Sequence, residues 1–157
     1  LSIIPADVLG LSARGAINFH DGPLPRYAGL NAPVWALLNR EPTHGITFHL
    51  IEGDIDEGDI LAQRTFEVAP NETCLTLNTR CYEVAIDTFA DVADMLGRWE
   101  LTRTPQDLSQ RSYFAKDQRP EGGCTLDFTR SAEDVSALVR ANGLNPEVVR
   151  QARITLD

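Results

Sequence analysis

Apolar and polar positions along this chain fall into short blocks whose period changes from one block to the next. Ile3 and Ile4 read as the end of a strand, and residues 5–9 as a helical turn with Pro5 placed early, where its missing N–H costs little. Residues 15–19 predict a second strand, followed by a loop from His20 to Leu30. Asn31 is positioned to cap a helix with Pro33 in its first turn and Val34, Trp35, Leu37 and Leu38 on its apolar side. From Thr43 to Ile51 the period is two: Ile46, Phe48 and Leu50 face one way, Gly45, Thr47 and His49 the other. An acidic loop separates this strand from another over residues 60–69.

The longest periodic stretch begins after Thr73, a capping residue, with Leu77, Cys81, Ala85, Phe89, Val92 and Leu96 spaced by three or four, and its expected stop is Gly97. Beyond it the polar residues 100–110 read as a linker. Short strands are expected at 112–115 and 124–128, then a helix opened by the capping box Ser131 to Asp134 and ended by Gly143. Strands alternating with helices predict an α/β sheet, mostly parallel with flanking helices, in which sites collect beyond the carboxyl ends of the strands.

Length and composition change this picture only in part. The 157 residues, 43% hydrophobic and 24% charged, suffice for one ordinary globular domain. The opening residues LSIIPADVL already read as a strand entering a turn, so the segment is expected to belong to a larger domain. No apolar run approaches the roughly 18 residues of a membrane span, and no basic leader with a cleavage site is visible, so a cytoplasmic setting without membrane contact is expected. Cys74, Cys81 and Cys124 form no paired motif and are expected as reduced core or near-surface thiols. The net charge is −9; residues 1–106 carry 7 basic and 15 acidic side chains, and residues 107–157 carry 7 and 8. A surface this poor in concentrated cations argues against direct nucleic acid binding by these residues.

The chemistry concentrates in two places. Asn18 and His20 lie two apart at a strand end, so they project to one side while Ile17 and Phe19 pack the other. His49 leaves a strand seven residues before Asp56, which sits in a carboxylate-dense, glycine-flanked loop over residues 53–58. A carboxylate beside a histidine orients the ring, and together these groups supply an oxyanion donor and a proton acceptor suited to acyl transfer to an amine. Structural roles remain open on the residues alone: Asn18 as a turn cap, His20 as a buried hydrogen-bonding group, the acidic loop as a solvated turn. The loop does not follow the EF-hand register, and a zinc site from His20, His49 and Asp56 lacks the usual close histidine pair, so no metal is expected.

The stretches NFHDGPLPRYAG, HGITFH and DIDEGDIL together resemble the folate-dependent formyltransferases, methionyl-tRNA formyltransferase among them. The matching positions are Asn18, His20, Leu24, Pro25, Gly45, Thr47, His49, Asp56 and Gly58. The resemblance implies a Rossmann-like formyltransferase fold, with residues 1–106 the C-terminal part of the catalytic domain and 107–157 a linker and the start of a C-terminal subdomain. It implies 10-formyltetrahydrofolate as co-substrate, a primary amine as acceptor and no metal. Asn18 and protonated His20 would stabilise the developing oxyanion, and Asp56 would set the protonation of His20 and relay the amine proton. His49 would line the site, and Ile3, Ile4, Pro5, Glu52, Gly53, Asp54 and Ile55 would seat the folate.

Leu24-Pro25 resembles a position that often holds a cis peptide. Asp21-Gly22 departs from the Pro-Ser or Gly-Ser of many members. The variant HDGPLPRYAGLNAPVWALLN resembles the formylation domains of nonribosomal peptide synthetases, which implies an aminoacyl group on a carrier domain as acceptor, with an aminoacyl group on tRNA kept open beside it. The N-terminal half of the family domain has no counterpart here and is expected as a partner. A formyltetrahydrofolate hydrolase and a non-catalytic folate-binding module are the alternatives.

Overall fold

A computed structural model describes residues 4–13, 15–98 and 100–142. Ile3, expected at the folate pocket, and Gly143, expected as a helix stop, lie outside the described residues. The element order is α1 (Ala6–Leu9), β1 (Ile17–His20), β2 (Ala28–Gly29), α2 (Ala32–Leu38), β3 (Thr43–Leu50), β4 (Ile60–Glu67), α3 (Cys74–Arg98), β5 (Tyr113–Phe114) and α4 (Ala132–Ala141), with a 3-10 turn at Leu108–Gln110.

The main sheet has the order β1-β3-β4, and both of its pairings are antiparallel. The sequence pattern predicts a mostly parallel sheet; the parallel pairing found is the two-residue ladder of β2 with β5. For β4 the reason lies in connection length. The loop between β3 and β4 spans residues 51–59, too short for the dozen or more residues that a parallel crossover needs, so β4 turns back on β3.

The β3 alternation is as expected, yet every residue of the strand after Thr43 is buried, because β3 is central and covered on both faces. Ile46 and Phe48 pack under the α3 stripe of Cys81, Ala85 and Val92. Fully burying side chains of the Ile, Val and Phe size contributes roughly 1.5–3 kcal/mol each, so this layer anchors the strand that carries Thr47 and His49. Thr73 caps α3 by accepting the Thr76 N–H at 3.2 Å. The helix runs one residue past Gly97.

Phe89, expected in the buried stripe, is 53% exposed, and Tyr82 and Ile86 are exposed beside it. Tyr82 meets Phe19 of β1, the outer strand of the sheet among the described residues, and Phe89 meets Phe48 of β3.

A second core joins α2 to α4, with Tyr27, Val34, Trp35, Leu37 and Leu77 at its centre. Phe114 stacks on Tyr27 and on Trp35 with ring centroids 5.4 and 4.6 Å apart. Asn31 takes the left-handed conformation (φ 61°) and does not cap α2 through its side chain; its carbonyl accepts from Val34 and Trp35 instead. Ser131 does cap α4, accepting the Asp134 N–H at 3.1 Å. Of residues 124–128, expected as a strand, Thr125 alone is in a β-bridge while Cys124 and Phe128 lie in turns, and the Asp127 carboxylate captures the Thr129 N–H and hydroxyl. Among the described residues no helix is long and apolar enough to cross a membrane.

Candidate active site

The antiparallel register of β1 on β3 assembles the first four groups. Asn18 lies opposite His49 and His20 opposite Thr47. Residues two apart on one strand share a face, and directly opposed residues of an antiparallel pair meet on that face, so the four side chains form one patch. Asn18 Nδ2 is 3.2 Å from His49 Nε2.

The loop over residues 51–59 then brings Asp56 across this patch. Its ends are drawn together by the Leu50 N–H to Asp59 O bond, and the Ile51 N–H to Ala16 O bond ties its start to the entry of β1. Gly58 is required at the closure, where a Cβ would stand 1.9 Å from the Leu50 carbonyl oxygen. Asp56 adopts φ 59°, a left-handed conformation that Asp tolerates better than most residues.

Its carboxylate meets three elements. Oδ1 lies 3.4 Å from His49 Nε2 and 3.5 Å from Asn18 Nδ2; Oδ2 lies 3.7 Å from His20 Nδ1 and accepts the Gly29 N–H at 2.8 Å. A carboxylate only accepts, so the Asn18 amide turns its NH2 toward it.

The histidine ring nitrogens are sorted by backbone carbonyls. His20 Nε2 donates to Tyr27 O at 2.8 Å, which leaves Nδ1 facing Asp56. His49 Nδ1 donates to Leu50 O at 2.8 Å, which leaves Nε2 toward Asn18 and Asp56. Burial by itself would raise the Asp56 carboxyl. The hydrogen bond from His49, the His20 charge and the Gly29 N–H outweigh it and hold the group below its ordinary value of 3.8. Asp21, immediately after His20, goes the other way because burial dominates.

Thr47 ties the loop after His20 to β3. Its hydroxyl donates to Gly22 O at 2.7 Å and accepts from Leu24 N–H at 3.1 Å and from Gln63 Nε2 at 2.9 Å. Thr47→Val keeps the shape and strands three polar partners, so it is expected to cost about 2–3 kcal/mol in urea unfolding, with Thr47→Ser retaining most of the stability. The Leu24–Pro25 peptide in this loop is cis.

Of the residues expected at the site, Asn18, His20, His49 and Asp56 come together. The expected folate set does so less completely. Ile4 and Pro5 are exposed at the start of α1, a helix that buries none of its residues, and the Pro5 carbonyl bonds stay within that turn, to the N–H groups of Val8 and Leu9. Glu52, Gly53, Asp54 and Ile55 lie on the Asp56 loop, with Gly53 left-handed (φ 69°), Glu52 paired with Arg103 and Ile55 43% exposed.

Sequence reasoning missed the Tyr27 carbonyl, the Gly29 N–H and Gln106, whose Nε2 donates to Asp56 O and Gly58 O at 2.9 and 2.7 Å. It also missed His44, which donates to Asp21 O at 2.8 Å and is pushed down to about 4 by burial. Two of these are backbone groups, which no side-chain motif encodes, and Gln106 stood in a stretch read as linker. Among the described residues no group of three or more His, Cys, Asp or Glu side chains is arranged to hold a metal ion.

Comparison with known proteins places this geometry. The sequence model of the family described as formyl transferase matches residues 1–93. The chain is 32% identical over 138 residues to a methionyl-tRNA formyltransferase of Geobacter sulfurreducens, covering 88% of this chain and 43% of that protein. It therefore spans less than half the length of that curated relative.

Two solved structures share the fold. One is a likely sugar N-formyltransferase from Mycobacterium tuberculosis, with a TM-score of 0.78 and 19% identity over 96% of this chain and 62% of that one. The other is HypX from Aquifex aeolicus in complex with tetrahydrofolic acid, with a TM-score of 0.77 and 22% identity over 90% and 24%. Motifs, fold and family match agree: this chain belongs to the formyl transferase family.

Proposed function

We propose that the protein containing this chain transfers the formyl group of 10-formyltetrahydrofolate to a primary amine, with Asn18, His20 and Asp56 as its catalytic groups. The observation that carries this reading is their convergence, an amide NH2, an imidazole nitrogen and a carboxylate on one patch within 3.2–3.7 Å of a neighbour in the cluster. The formyl donor supplies an activated carbonyl carbon. The amine nitrogen forms a bond to that carbon, the bond to the folate nitrogen breaks, the amine loses a proton and the folate nitrogen gains one. Asn18 Nδ2 and Nδ1 of the protonated His20 ring donate to the formyl oxygen as its charge grows, and Asp56 receives the amine proton, directly or through one water.

The Asp56 loop fits a flat, polar-edged ring, since residues 52–55 offer exposed backbone around left-handed Gly53 and the partly open Ile55 side chain. In this reading Glu52 to Ile55 and His49 seat the folate, joined by Ile3, Ile4 and Pro5. Residues 1–106 count as the C-terminal part of the catalytic domain and 107–157 as a linker and the start of a further subdomain, in a cytoplasmic protein. The remaining part of the domain would cover the apolar face of Tyr82, Ile86 and Phe89, a role supported by the 43% share of the relative that this chain spans.

For the acceptor, the reading commits to an aminoacyl group on a carrier domain. The excess of 9 negative charges supports this over transfer RNA, whose phosphates call for concentrated cations. The test offers 10-formyltetrahydrofolate to the intact protein with an aminoacyl carrier domain, an aminoacyl-tRNA, a nucleotide-linked amino sugar, or water alone. Fastest turnover with the carrier is expected. Preference for either other amine overturns the acceptor assignment and keeps the chemistry. Equal formate release without any amine makes the protein a hydrolase, and folate binding with no turnover makes it a binding module.

A further inference from the structure

Residues 103–114 supply none of the groups facing the reacting patch, yet they bond both to the loop that carries Asp56 and to the loop whose Tyr27 carbonyl holds the His20 ring. On the Asp56 side, Thr104 and Ile60 exchange backbone bonds at 2.8 and 2.9 Å, and Arg103 pairs with Asp59 and Glu52. Gln106 Nε2 bridges Asp56 O and Gly58 O, and Arg111 donates to Ile55 O at 2.9 Å while pairing with Glu57. On the His20 side, Ser112 Oγ accepts the Tyr27 N–H at 2.8 Å, Ser112 O accepts from Ala28 at 2.9 Å, and Phe114 O accepts from Leu30 at 2.9 Å.

What these bonds hold is strained. Tyr27 and Asp56 both have left-handed backbones, φ 62° and 59°, conformations that residues with a side chain hold only when surrounding contacts enforce them. Tyr27 carries the carbonyl that sorts the His20 ring, and two residues on, Gly29 carries the N–H that holds Asp56 Oδ2. The spacing of His20 and Asp56 thus depends on two loops, and one short segment is bonded to both.

We infer that residues 103–114 form a strap that fixes the separation of His20 and Asp56, with Gln106 and Ser112 as positioning residues at its two ends. The inference rests on the reading of His20 and Asp56 as catalytic. The strap is mostly exposed and gripped chiefly by polar bonds, so cutting one grip loosens a loop without opening the core.

The test measures formyl transfer by the intact protein in Gln106→Leu, which keeps the size and removes the donors, in Ser112→Ala, in the double variant, and in Asp56→Asn. Each single variant is expected to lower kcat about tenfold or more, as small misplacements of reacting groups do, with KM for the amine within twofold of wild type. In Gln106→Leu the acid limb of the kcat profile moves to higher pH, because Asp56 is less firmly held against His49 and Gly29. The double variant loses less than the product of the single losses, since both act through one spacing. If Gln106→Leu does not fold, Ser112→Ala carries the test with the same kcat and KM readouts. Single variants within twofold of wild-type kcat, with an unmoved acid limb and an inactive Asp56→Asn, overturn the strap and leave the catalytic reading standing. Near-wild-type turnover in Asp56→Asn overturns both.

Discussion

Asp56→Asn is expected to lower kcat for formyl transfer by about three orders of magnitude, roughly 4 kcal/mol of transition-state stabilisation, while folate binding stays near its wild-type value. Asparagine has the same shape. Its Oδ1 can still accept the Gly29 N–H and its Nδ2 can turn toward His49, so the loop geometry survives and the charge and proton-accepting capacity are lost. Steady-state rates in the intact protein, paired with folate titration, separate the two quantities. A variant within tenfold of wild type would show that the proton leaves by another group.

The same substitution has a pH signature in stability. The Asp56 carboxyl titrates below its unfolded value of 3.8, so its contribution is fully present above that value and is lost as pH falls through the lower folded one. The urea midpoint difference between wild type and Asp56→Asn should therefore be level from about pH 8 to pH 5 and shrink below about pH 4. A difference that changes near neutrality instead would assign the interaction to another titrating group.

Gly58→Ala is expected to be the most damaging single change to the fold around the site, destabilising the protein by about 3 kcal/mol and lowering turnover with it. The added methyl would sit 1.9 Å from the Leu50 carbonyl oxygen, 2.8 Å from its carbon and 3.2 Å from the Glu52 nitrogen, all backbone atoms with little room to yield. Relief requires the loop to lift off β3, which moves Asp56 away from His49 and Asn18 together. Denaturant midpoints check the first effect. A drop in kcat larger than the loss of folded fraction checks the second. An alanine variant of native stability would mean that the loop closes by some other path.

Much of this site was legible before any coordinates. The i, i+2 spacing of Asn18 and His20 and the period of two through Thr47 and His49 follow from strand geometry alone, and the register of β1 on β3 does pair them. The stripe of α3 was equally readable from spacing, except at Phe89, which touches Phe48 of β3 yet stays exposed. Strand direction was misread: strands alternating with helices suggest parallel neighbours, yet the nine residues between β3 and β4 are too few for a parallel crossover, and the antiparallel pairing of β1 with β3 follows from no such count. The cap assigned to Asn31 failed for a related reason: its side chain is suited to capping, but the chain turns there with a positive φ.

By itself the sequence determined which faces are apolar, which side chains with acid, base and donor chemistry stand at strand ends, and that their motifs match a formyl-transferring family. The tertiary structure decided which ring nitrogen of each histidine faces the patch, how Asp56 is held, and that residues 103–114 grip both loops. These depend on backbone carbonyls and N–H groups of Tyr27, Gly29, Leu50 and Ser112. Every residue owns such groups, so their role is written in where the chain passes and not in which residue it is.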